Sequence, residues 1–383
     1  MCQPHGVLSR LDDLPIHQVP QPIARPATAD RNACDRYWFG GVALDGSFLF
    51  EAAFGRYANL GVVDASVSLL RDGRQEAFHA SAAAPHEPTD TTVGPLRLDI
   101  VEPMRELRIT IDDNETGITA DLTWRARVGA LLEDHTVMED QRTVIVDMAR
   151  FVQFGTWAGS ITVDGETTSF DHSQTRGTRD RSWGIRPVGE RPNERPMSLP
   201  STCWLWAPIH FDDQCRSLGF FQRPGGEIWR GDGFVVPLVD PVEEITANDA
   251  EGVVRLEPKG QELQFHPGTR WVSGAKLLVQ THDGEQVDLV LEPMEGLRFS
   301  MRGLGYTNPE WGHGHWKGEL AVGRESWDLA EIDPTDPYFQ HVHHGVRASV
   351  PALGLEGAGI FEQIIFGPHT QMGFSDFLDM SPG

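Results

Sequence analysis

Apolar residues alternate with polar ones in many short segments of this chain, and this period of two constrains the fold more than any other feature. In residues 107–111 and 118–124 every second side chain is apolar. Such alternation places one face of a segment on a core and the other in water, as in a β-strand. Asp-Gly pairs, which tolerate the positive φ angles of tight hairpins, occur at residues 45–46, 72–73, 164–165 and 283–284. Because no long amphipathic helical pattern accompanies them, the sequence predicts an all-β, mostly antiparallel protein.

A short repeat indicates that the chain contains two similar halves. Residues 102–108 read EPMRELR and residues 292–298 read EPMEGLR, so five of seven positions agree across about half of the chain. Each copy follows an alternating segment and precedes another. Proline cannot donate a hydrogen bond to a sheet, so we expect both copies to interrupt a strand at a turn or a bulge. The repeat predicts two β-barrel or sandwich domains related by internal duplication.

The length and the placement of prolines predict the domain boundaries. A chain of 383 residues is too long for one ordinary core. Residues 186–200 contain four prolines and several charges, which is typical of a linker or an exposed loop. The proline-containing N-terminus favours an extended arm over the surface, or disorder. We therefore predict an N-terminal arm at residues 1–30, a first barrel at 31–185, a linker at 186–202 and a second barrel at 203–383.

Charge and composition exclude several classes of partner. The formal net charge is −24, which argues against nucleic acid or an anionic membrane as a partner. No stretch is apolar and long enough to span a bilayer, and the N-terminus lacks the apolar run of a signal peptide. The four cysteines, at positions 2, 34, 203 and 215, form no CxxC pair. These features predict a cytoplasmic protein, monomeric or homodimeric, without membrane insertion.

The segment GTRDRSWGIRP, residues 177–187, is the first candidate for chemistry. If it is extended, Arg179 and Arg181 share one face and Asp180 lies on the other. The two arginines would then favour the carboxylate form of Asp180 by their field. One interpretation makes Asp180 a buried acid or base, with Trp183 as an aromatic wall beside an apolar ligand. The alternative is a salt-bridged aspartate that stabilises the end of a strand.

Four further clusters contain reactive or aromatic side chains. On one strand face, Trp204, Trp206 and His210 could line a cavity, or Trp206 could be ordinary core. His343 could exchange protons near neutral pH or simply line a wall. Glu362 lies inside an apolar segment, where a carboxylate must find a partner or stay protonated.

The fourth cluster has the spacing of a metal site. His313, His315 and Glu319 would share one strand face, which could hold a metal ion, and the spacing resembles the first half of the cupin motif. The second half of that motif does not follow. The alternative is a barrel wall whose imidazoles bond to carbonyl groups or to a ligand. Motifs for serine nucleophiles, P-loops, dinucleotide binding and HExxH zinc sites are absent.

The spacing G-x-x-D-x-x-W-G, here Gly177, Asp180, Trp183 and Gly184, resembles a motif of the carotenoid hydratase (hydroxyneurosporene synthase)-like and AttH-like proteins. Histidines usually flank the aspartate in those proteins, whereas arginines do so here. The tryptophan-rich segment at 204–210 is also similar, and the resemblance covers most of residues 35–380. The chain looks like an uncharacterised bacterial branch of that superfamily.

The resemblance implies a pair of lipocalin-like β-barrels that hold a large apolar ligand. Relatives hydrate isoprenoid double bonds, and the fold is shared with cyclases, including fungal Diels–Alderases. It implies chemistry without a redox cofactor, and it carries Asp180, Trp183 and Gly184 over as matching positions.

Together these features predict a cofactor-independent enzyme that acts on an apolar small molecule by proton transfer. The reaction class is hydration or dehydration, isomerisation or cyclisation. The alternatives are a lipocalin-like carrier without chemistry and a metal-dependent oxygenase. The candidate catalytic residues are Asp180, His343 and His210, and the candidate substrate-binding residues are Arg179, Arg181, Trp183, Trp204, Trp206, Trp311, His313 and Glu362.

Overall fold

The protein consists of antiparallel strands joined by short connections. The structure is a computed structural model that describes residues 8–140, 143–188, 201–246 and 252–381. The strands are β1 (Ala33–Ala43), β2 (Phe48–Tyr57), β3 (Val62–Arg71), β4 (Arg74–Ala83), β5 (Thr92–Val93), β6 (Leu96–Glu102), β7 (Glu106–Ile111), β8 (Ile118–Ala126), β9 (Leu131–Leu132), β10 (Thr136–Asp140), β11 (Thr143–Val163), β12 (Glu166–Phe170), β13 (Thr175–Ile185), β14 (Thr202–His210), β15 (Gln214–Gln222), β16 (Ile228–Pro237), β17 (Val254–Phe265), β18 (Val272–Thr281), β19 (Leu289–Ser300), β20 (Leu320–Asp328), β21 (His341–Val350) and β22 (Leu355–Phe366).

The helical content of the described residues is confined to short 3-10 turns. They are Arg10–Asp13, Val242–Glu244, Met301–Leu304, Pro337–Phe339, Pro351–Leu353 and Thr370–Met372. None of the helical segments in this part of the chain has the length and apolar character of a transmembrane helix. The all-β prediction from the period-two pattern is therefore confirmed.

The strands form two antiparallel sheets, which agrees with the predicted pair of β-barrel or sandwich domains. The first follows the order β20-β4-β3-β2-β1-β13-β11-β8-β7-β6-β5, with β9, β10 and β12 also paired to β11. The second is a closed barrel in the order β14-β15-β16-β17-β18-β19-β21-β22. Each sheet encloses its own apolar core, because alternate residues of every strand point inward. The result is a pair of lipocalin-like barrels.

One strand crosses between the halves. The sequence analysis assigned residues 203–383 to the second barrel, but β20, at residues 320–328, pairs along its whole length with β4 of the first sheet. Arg324 on β20 then bonds Glu76 on β4 and the carboxylate of Asp164. This exchange was not predicted, because strand pairing over such a distance leaves no local pattern. Most of the predicted linker, residues 189–200, lies outside the described residues.

The repeated EPM segments interrupt the sheets in the expected way. The first copy forms the turn between β6 and β7, where Met104 adopts a positive φ of 66°. The second copy lies within β19, whose pairing with β21 shifts register between Pro293 and Arg298. Proline ends regular pairing in both halves, once as a turn and once as an irregularity inside a strand.

The outer faces of the two sheets pack against each other through a third apolar cluster. Trp38 on β1 and Trp206 on β14 meet edge to face, with ring centroids 5.5 Å apart. Each tryptophan lies directly opposite an acidic residue on a neighbouring strand: Asp180 on β13 opposite Trp38, and Glu362 on β22 opposite Trp206. The two halves thus present an equivalent tryptophan and acid to their common contact.

A glycine allows the close approach of the sheets. A Cβ added at Gly40 on β1 would lie 2.5 Å from the Cδ1 atom of Ile360 on β22 and 2.9 Å from the Trp38 ring. Because neither neighbour is the loose end of a surface side chain, the contact has no room for a larger residue.

We expect Gly40→Val to lower the free energy of unfolding by about 1–3 kcal/mol through overpacking. Truncation of the opposing side chain in Ile360→Ala opens space, so the double variant should lose less than the sum of the two single losses. Urea denaturation measures all three values. Gly225→Val is the matched control, since nothing lies within 4 Å of the Cβ position at Gly225. Strict additivity of Gly40→Val and Ile360→Ala would contradict the proposed contact.

Candidate functional site

A cavity of about 380 Å³ lies between the two barrels rather than inside either one. Its walls are the outward faces of β1, β11 and β13 on one side and of β14, β15, β16, β21 and β22 on the other. The volume lies in the range of ligand pockets of proteins. The lining combines aromatic rings and methionines with a few charged groups, and the aromatic and methionine members are Trp38, Trp204, Trp206, Phe221, Phe234, Tyr306, Met138, Met148 and Met301.

The predicted alternation along β14 places its tryptophans in the cavity. Trp204 and Trp206 line it, whereas Leu205 and Ala207 point into the core of the second barrel. The aliphatic face of β14 therefore packs inside the second barrel. A closed barrel has its apolar core within it, so the ligand-sized space is left on the outer face.

Asp180 and the flanking arginines lie on opposite faces of β13, as the alternation of side chains along a strand predicts. Asp180 and Ser182 line the cavity, while Arg179, Arg181 and Trp183 lie on the other face. The guanidinium of Arg179 donates a hydrogen bond to Gln153 Oε1 and lies over the rings of Trp124 and Phe151. Arg181 forms an ion pair with Asp35 and lies over the Tyr37 ring. The side chain of Trp183 is 41% exposed. The structure therefore does not place Arg179, Arg181 or Trp183 in this cavity.

A different arginine, Arg150 on β11, is the cation beside Asp180. It donates a hydrogen bond of 2.8 Å to each oxygen of Glu133, and its Nη1 atom lies 3.7 Å from Asp180 Oδ2. Its guanidinium also lies over the rings of Trp204 and Trp206, 5.7 and 5.3 Å from their centroids. The positive charge of Arg150 thus interacts with the Glu133 carboxylate and the two indole rings as well as with Asp180.

The environment of Asp180 reverses the expected direction of its pKa. We expected Arg179 and Arg181 to favour the carboxylate, but both guanidinium groups face away. Burial raises the pKa of Asp180, and Arg150 only partly opposes this effect. Its side chain is 16% exposed, so the carboxyl group still reaches the cavity. Asp180 is consequently a carboxylic acid whose proton is held more firmly than that of a surface aspartate.

His343 bridges the two barrels. Its Nδ1 atom lies 2.7 Å from Glu51 Oε1 on β2 of the first sheet. The other oxygen of Glu51 accepts a hydrogen bond of 2.8 Å from the Trp38 indole. The Nε2 atom of His343 faces the cavity, is buried and has no hydrogen-bond partner among the described residues; the nearest acceptor, Glu362 Oε1, is 3.4 Å away. Glu51 therefore orients the ring, and Nε2 lies at the cavity wall within ion-pair distance of Glu362.

Glu362 is held by two donors from the second barrel. Its Oε1 atom accepts a hydrogen bond of 2.6 Å from His341 Nε2, and its Oε2 atom accepts one of 2.8 Å from the Trp204 indole. Burial lowers the pKa of His341, which favours a neutral imidazole that donates from Nε2. The carboxylate has found partners, which is one of the two outcomes expected for a charge in an apolar strand.

The pKa values of His343 and Glu362 are shifted in opposite directions. Burial alone would disfavour the imidazolium, but the carboxylates of Glu51 and Glu362 raise the pKa of His343 to about 10. Burial alone would raise the pKa of Glu362, but its contacts with His341 and His343 hold it well below its usual range. At neutral pH His343 therefore carries a proton and Glu362 does not, so the two side chains form an ion pair at the cavity wall.

A group that could hold a metal ion is present at the cavity, away from His313, His315 and Glu319. One ligand atom from each of His341, His343 and Glu362 lies within 4.8 Å of the others. In the segment whose spacing suggested a metal site, by contrast, His313 places both ring nitrogens against the Arg36 guanidinium, at 3.2 and 2.9 Å, which is unfavourable for a metal ligand. Glu319 is exposed. The glycines around these residues interrupt the regular alternation of side chains along a strand, so the three side chains do not converge.

Three other predicted site residues also lie away from the cavity. His210 is buried between the barrels, where its ring contacts Thr178 Oγ1 at 3.3 Å and Arg127 at 3.2 Å. Burial lowers its pKa well below the ordinary value. Trp311 stacks on the ring of His79, and His313 packs behind Tyr306. His210 shares a strand face with Trp204 and Trp206 but lies beyond the end of the cavity.

Sequence reasoning missed Trp38, Glu51, Glu133, Arg150, Arg186 and His341. For Glu51 a signal existed, because it stands inside FLFEAAF, residues 48–54, as Glu362 stands inside GIFEQIIF. An ionisable residue in an apolar strand requires a buried partner in both cases. Arg150 left no comparable signal, since its strand segment is mixed in polarity.

Comparison with solved structures shows the same fold in other proteins. Putative AttH from Nitrosomonas europaea is 14% identical, covers 92% of this chain and 98% of its own, and superposes with a TM-score of 0.53. Kievitone hydratase from Nectria haematococca is 15% identical over 86% of this chain and 88% of its own, with a TM-score of 0.48. CghA is 12% identical over 88% and 89%, with a TM-score of 0.47.

These likenesses describe the fold and leave the reaction open. The resemblance to AttH-like and carotenoid-hydratase-like proteins is confirmed at that level. None of the curated proteins matches the chain. Residues 8–375 match the model of a family of unknown function, DUF8625, and the chain belongs to that family.

Proposed function

We propose that the chain is an enzyme that acts on an apolar small molecule by proton transfer, without a redox cofactor. The reaction would be a hydration or dehydration, an isomerisation or a cyclisation. The observation that carries this proposal is the line Glu51–His343–Glu362, which holds an imidazole between two carboxylates at the wall of an aromatic cavity. A histidine that merely lined a wall would not need a buried carboxylate on each side of its ring.

The acid–base roles follow from the shifted pKa values. An imidazolium with a pKa of about 10 is a strong hydrogen-bond donor but a weak acid. His343 is therefore suited to polarise a carbonyl oxygen conjugated to the reacting double bond, rather than to protonate an isolated alkene. Glu362, held as a carboxylate by its lowered pKa, is a weak base, so it would orient a water molecule or a substrate hydroxyl group by accepting its hydrogen bond.

Asp180 supplies the second proton donor. Its pKa is raised by burial, so it holds its proton more firmly than an exposed aspartic acid does. It would deliver a proton to carbon from the side of the first sheet. Arg150, fixed by Glu133, would then stabilise the carboxylate that results. The aromatic walls exclude water and stabilise developing positive charge through their ring faces.

The principal alternative is a carrier that binds an apolar metabolite without chemistry. A carrier needs the aromatic walls but has no use for a histidine held between two buried carboxylates. Replacement of a proton-transfer residue should lower turnover in an enzyme but change nothing in a carrier. The following experiment uses this difference.

We expect Asp180→Asn and His343→Gln to lower turnover by about 10²–10⁴-fold while ligand binding is retained. A panel of conjugated carbonyl, polycyclic and isoprenoid compounds would be incubated with the protein in D₂O. Mass spectrometry detects gain or loss of water and deuterium at carbon, and chromatography detects isomers and cyclised products of equal mass. Asp283→Asn, in an exposed hairpin, is the control for the same chemical change. A ligand that binds tightly yet exchanges no deuterium and gives no product would identify a carrier.

The raised pKa of His343 predicts how stability depends on pH. Both states hold the histidine proton below the ordinary pKa of 6.5, and the folded state keeps it until about pH 10. Between these limits the folded state binds more protons, so the free energy of unfolding must fall as pH rises. Thermal unfolding from pH 6.5 to 10 should show a steeper decline in Tm for the wild type than for His343→Gln. His282→Gln, at an exposed position, should follow the wild type. Equal slopes for His343→Gln and the wild type would contradict an imidazolium at this position.

A second candidate function is metal-dependent chemistry, which the convergence of His341, His343 and Glu362 favours. The outer contacts of Glu51 and Trp204 would orient two of the three ligands, as in many metal sites. The proton-transfer proposal expects turnover to be unchanged after dialysis against EDTA and elemental analysis to find less than one equivalent of iron, manganese or zinc. Activity that is lost on dialysis and restored by one of these ions would replace the proposal with the metal-dependent one.

A further inference from the structure

Arg186 places a positive charge at the cavity wall. It follows the last residue of β13, lines the cavity and lies over the Tyr306 ring, 5.7 Å from its centroid. Within the part of the chain that the structure describes, its guanidinium makes no hydrogen bond and no ion pair. A half-buried guanidinium without an acceptor is unusual, because it has five donors to satisfy.

The other two arginines of the cavity are already engaged. Arg150 binds both oxygens of Glu133. Arg230 donates to the backbone carbonyls of Asp134 and His135 at 2.6 and 3.3 Å. Arg186 is thus the one of the three with a free planar edge, and that edge is the part of arginine that matches a carboxylate or a similar oxyanion.

The overall charge of the chain makes a local cation necessary for such a ligand. With a net charge of −24 the protein repels anions at long range. An anion would reach this cavity only if a desolvated positive group stabilised it there. Arg186 lies beside a ring that restricts its orientation, which reduces the entropy lost when the guanidinium binds.

We propose that Arg186 is an anion subsite, and that the ligand of the cavity is an apolar molecule carrying one oxyanion, either a carboxylate or an ionised enol. The charged oxygen binds the free edge of Arg186, and the carbon skeleton lies against Trp204, Phe221 and Phe234. This inference rests on the proposed function only in that the cavity takes an apolar small molecule. It adds the class of that molecule.

The test uses two fluorescent probes of nearly equal shape and different charge. The anion is 8-anilinonaphthalene-1-sulfonate, and the uncharged counterpart is N-phenyl-1-naphthylamine. The wild type should bind the anion more tightly than the amine. Arg186→Gln should weaken binding of the anion by about tenfold, the loss of one charge-assisted contact, and leave binding of the amine unchanged. Arg347→Gln removes the same charge from an exposed position on β21 and should leave both affinities unchanged.

The outcomes separate this inference from the proposed function. Equal losses of both probes in Arg186→Gln, or no loss of either, would overturn the anion subsite, as would an equal loss of the anion in Arg347→Gln. Tight binding of the amine with turnover that depends on Asp180 would then leave the proposed function standing. Failure of the wild type to bind either probe would instead contradict the apolar cavity on which both proposals depend.

Discussion

A buried imidazole joins the two barrels, and the candidate site exists only because it does. His343 belongs to the second barrel, whereas Glu51, which holds its Nδ1 atom, belongs to the first. Both groups are almost completely buried, so neither charge could persist there without the other. On the far side of the ring, Glu362 completes a line of two carboxylates with an imidazole between them. Separation of the barrels would leave the buried Glu51 carboxylate without its imidazole partner, and this links the architecture directly to the chemistry.

Three carboxyl groups around one cavity acquire different properties from their neighbours alone. Glu133 is bound by both arms of Arg150. Asp180 has a more distant cation and retains its proton more firmly. Glu362 receives donors on both oxygens and remains ionised. Such divergence within a small volume is how a protein obtains an acid and a base from the same kind of side chain.

Much of the fold could be predicted from the sequence, because a period of two and Asp-Gly turns are local signals. The same parity predicted that Asp180 and the two flanking arginines would lie on opposite faces of β13. It could not show which face meets the cavity, so Arg179 and Arg181 were assigned to a ligand that they do not reach. Trp204, Trp206 and Glu362 were recognised because each stands out within an apolar strand.

The residues that sequence reasoning missed depend on contacts between distant parts of the chain. His343 was identified as a proton carrier, but its partner Glu51 is 292 residues away. Arg150 lies in the part of β11 that pairs with β13 beyond the end of β8. The local sequence around Arg150 does not show that its side chain faces the second barrel. The side chains of His313 and His315 do not share a strand face with Glu319, because the intervening glycines interrupt the alternation that would have brought them together.

The passage of β20 into the first sheet has a consequence for how the molecule can be divided. A tandem duplication would ordinarily yield two units that could be inherited, recombined or expressed separately. Here the first sheet takes its outermost strand from residues 320–328, far into the second half. A polypeptide ended near residue 185 would leave the edge of β4 open to pairing with other chains. The duplicated halves are therefore interlocked, and recombination could exchange them only as one piece.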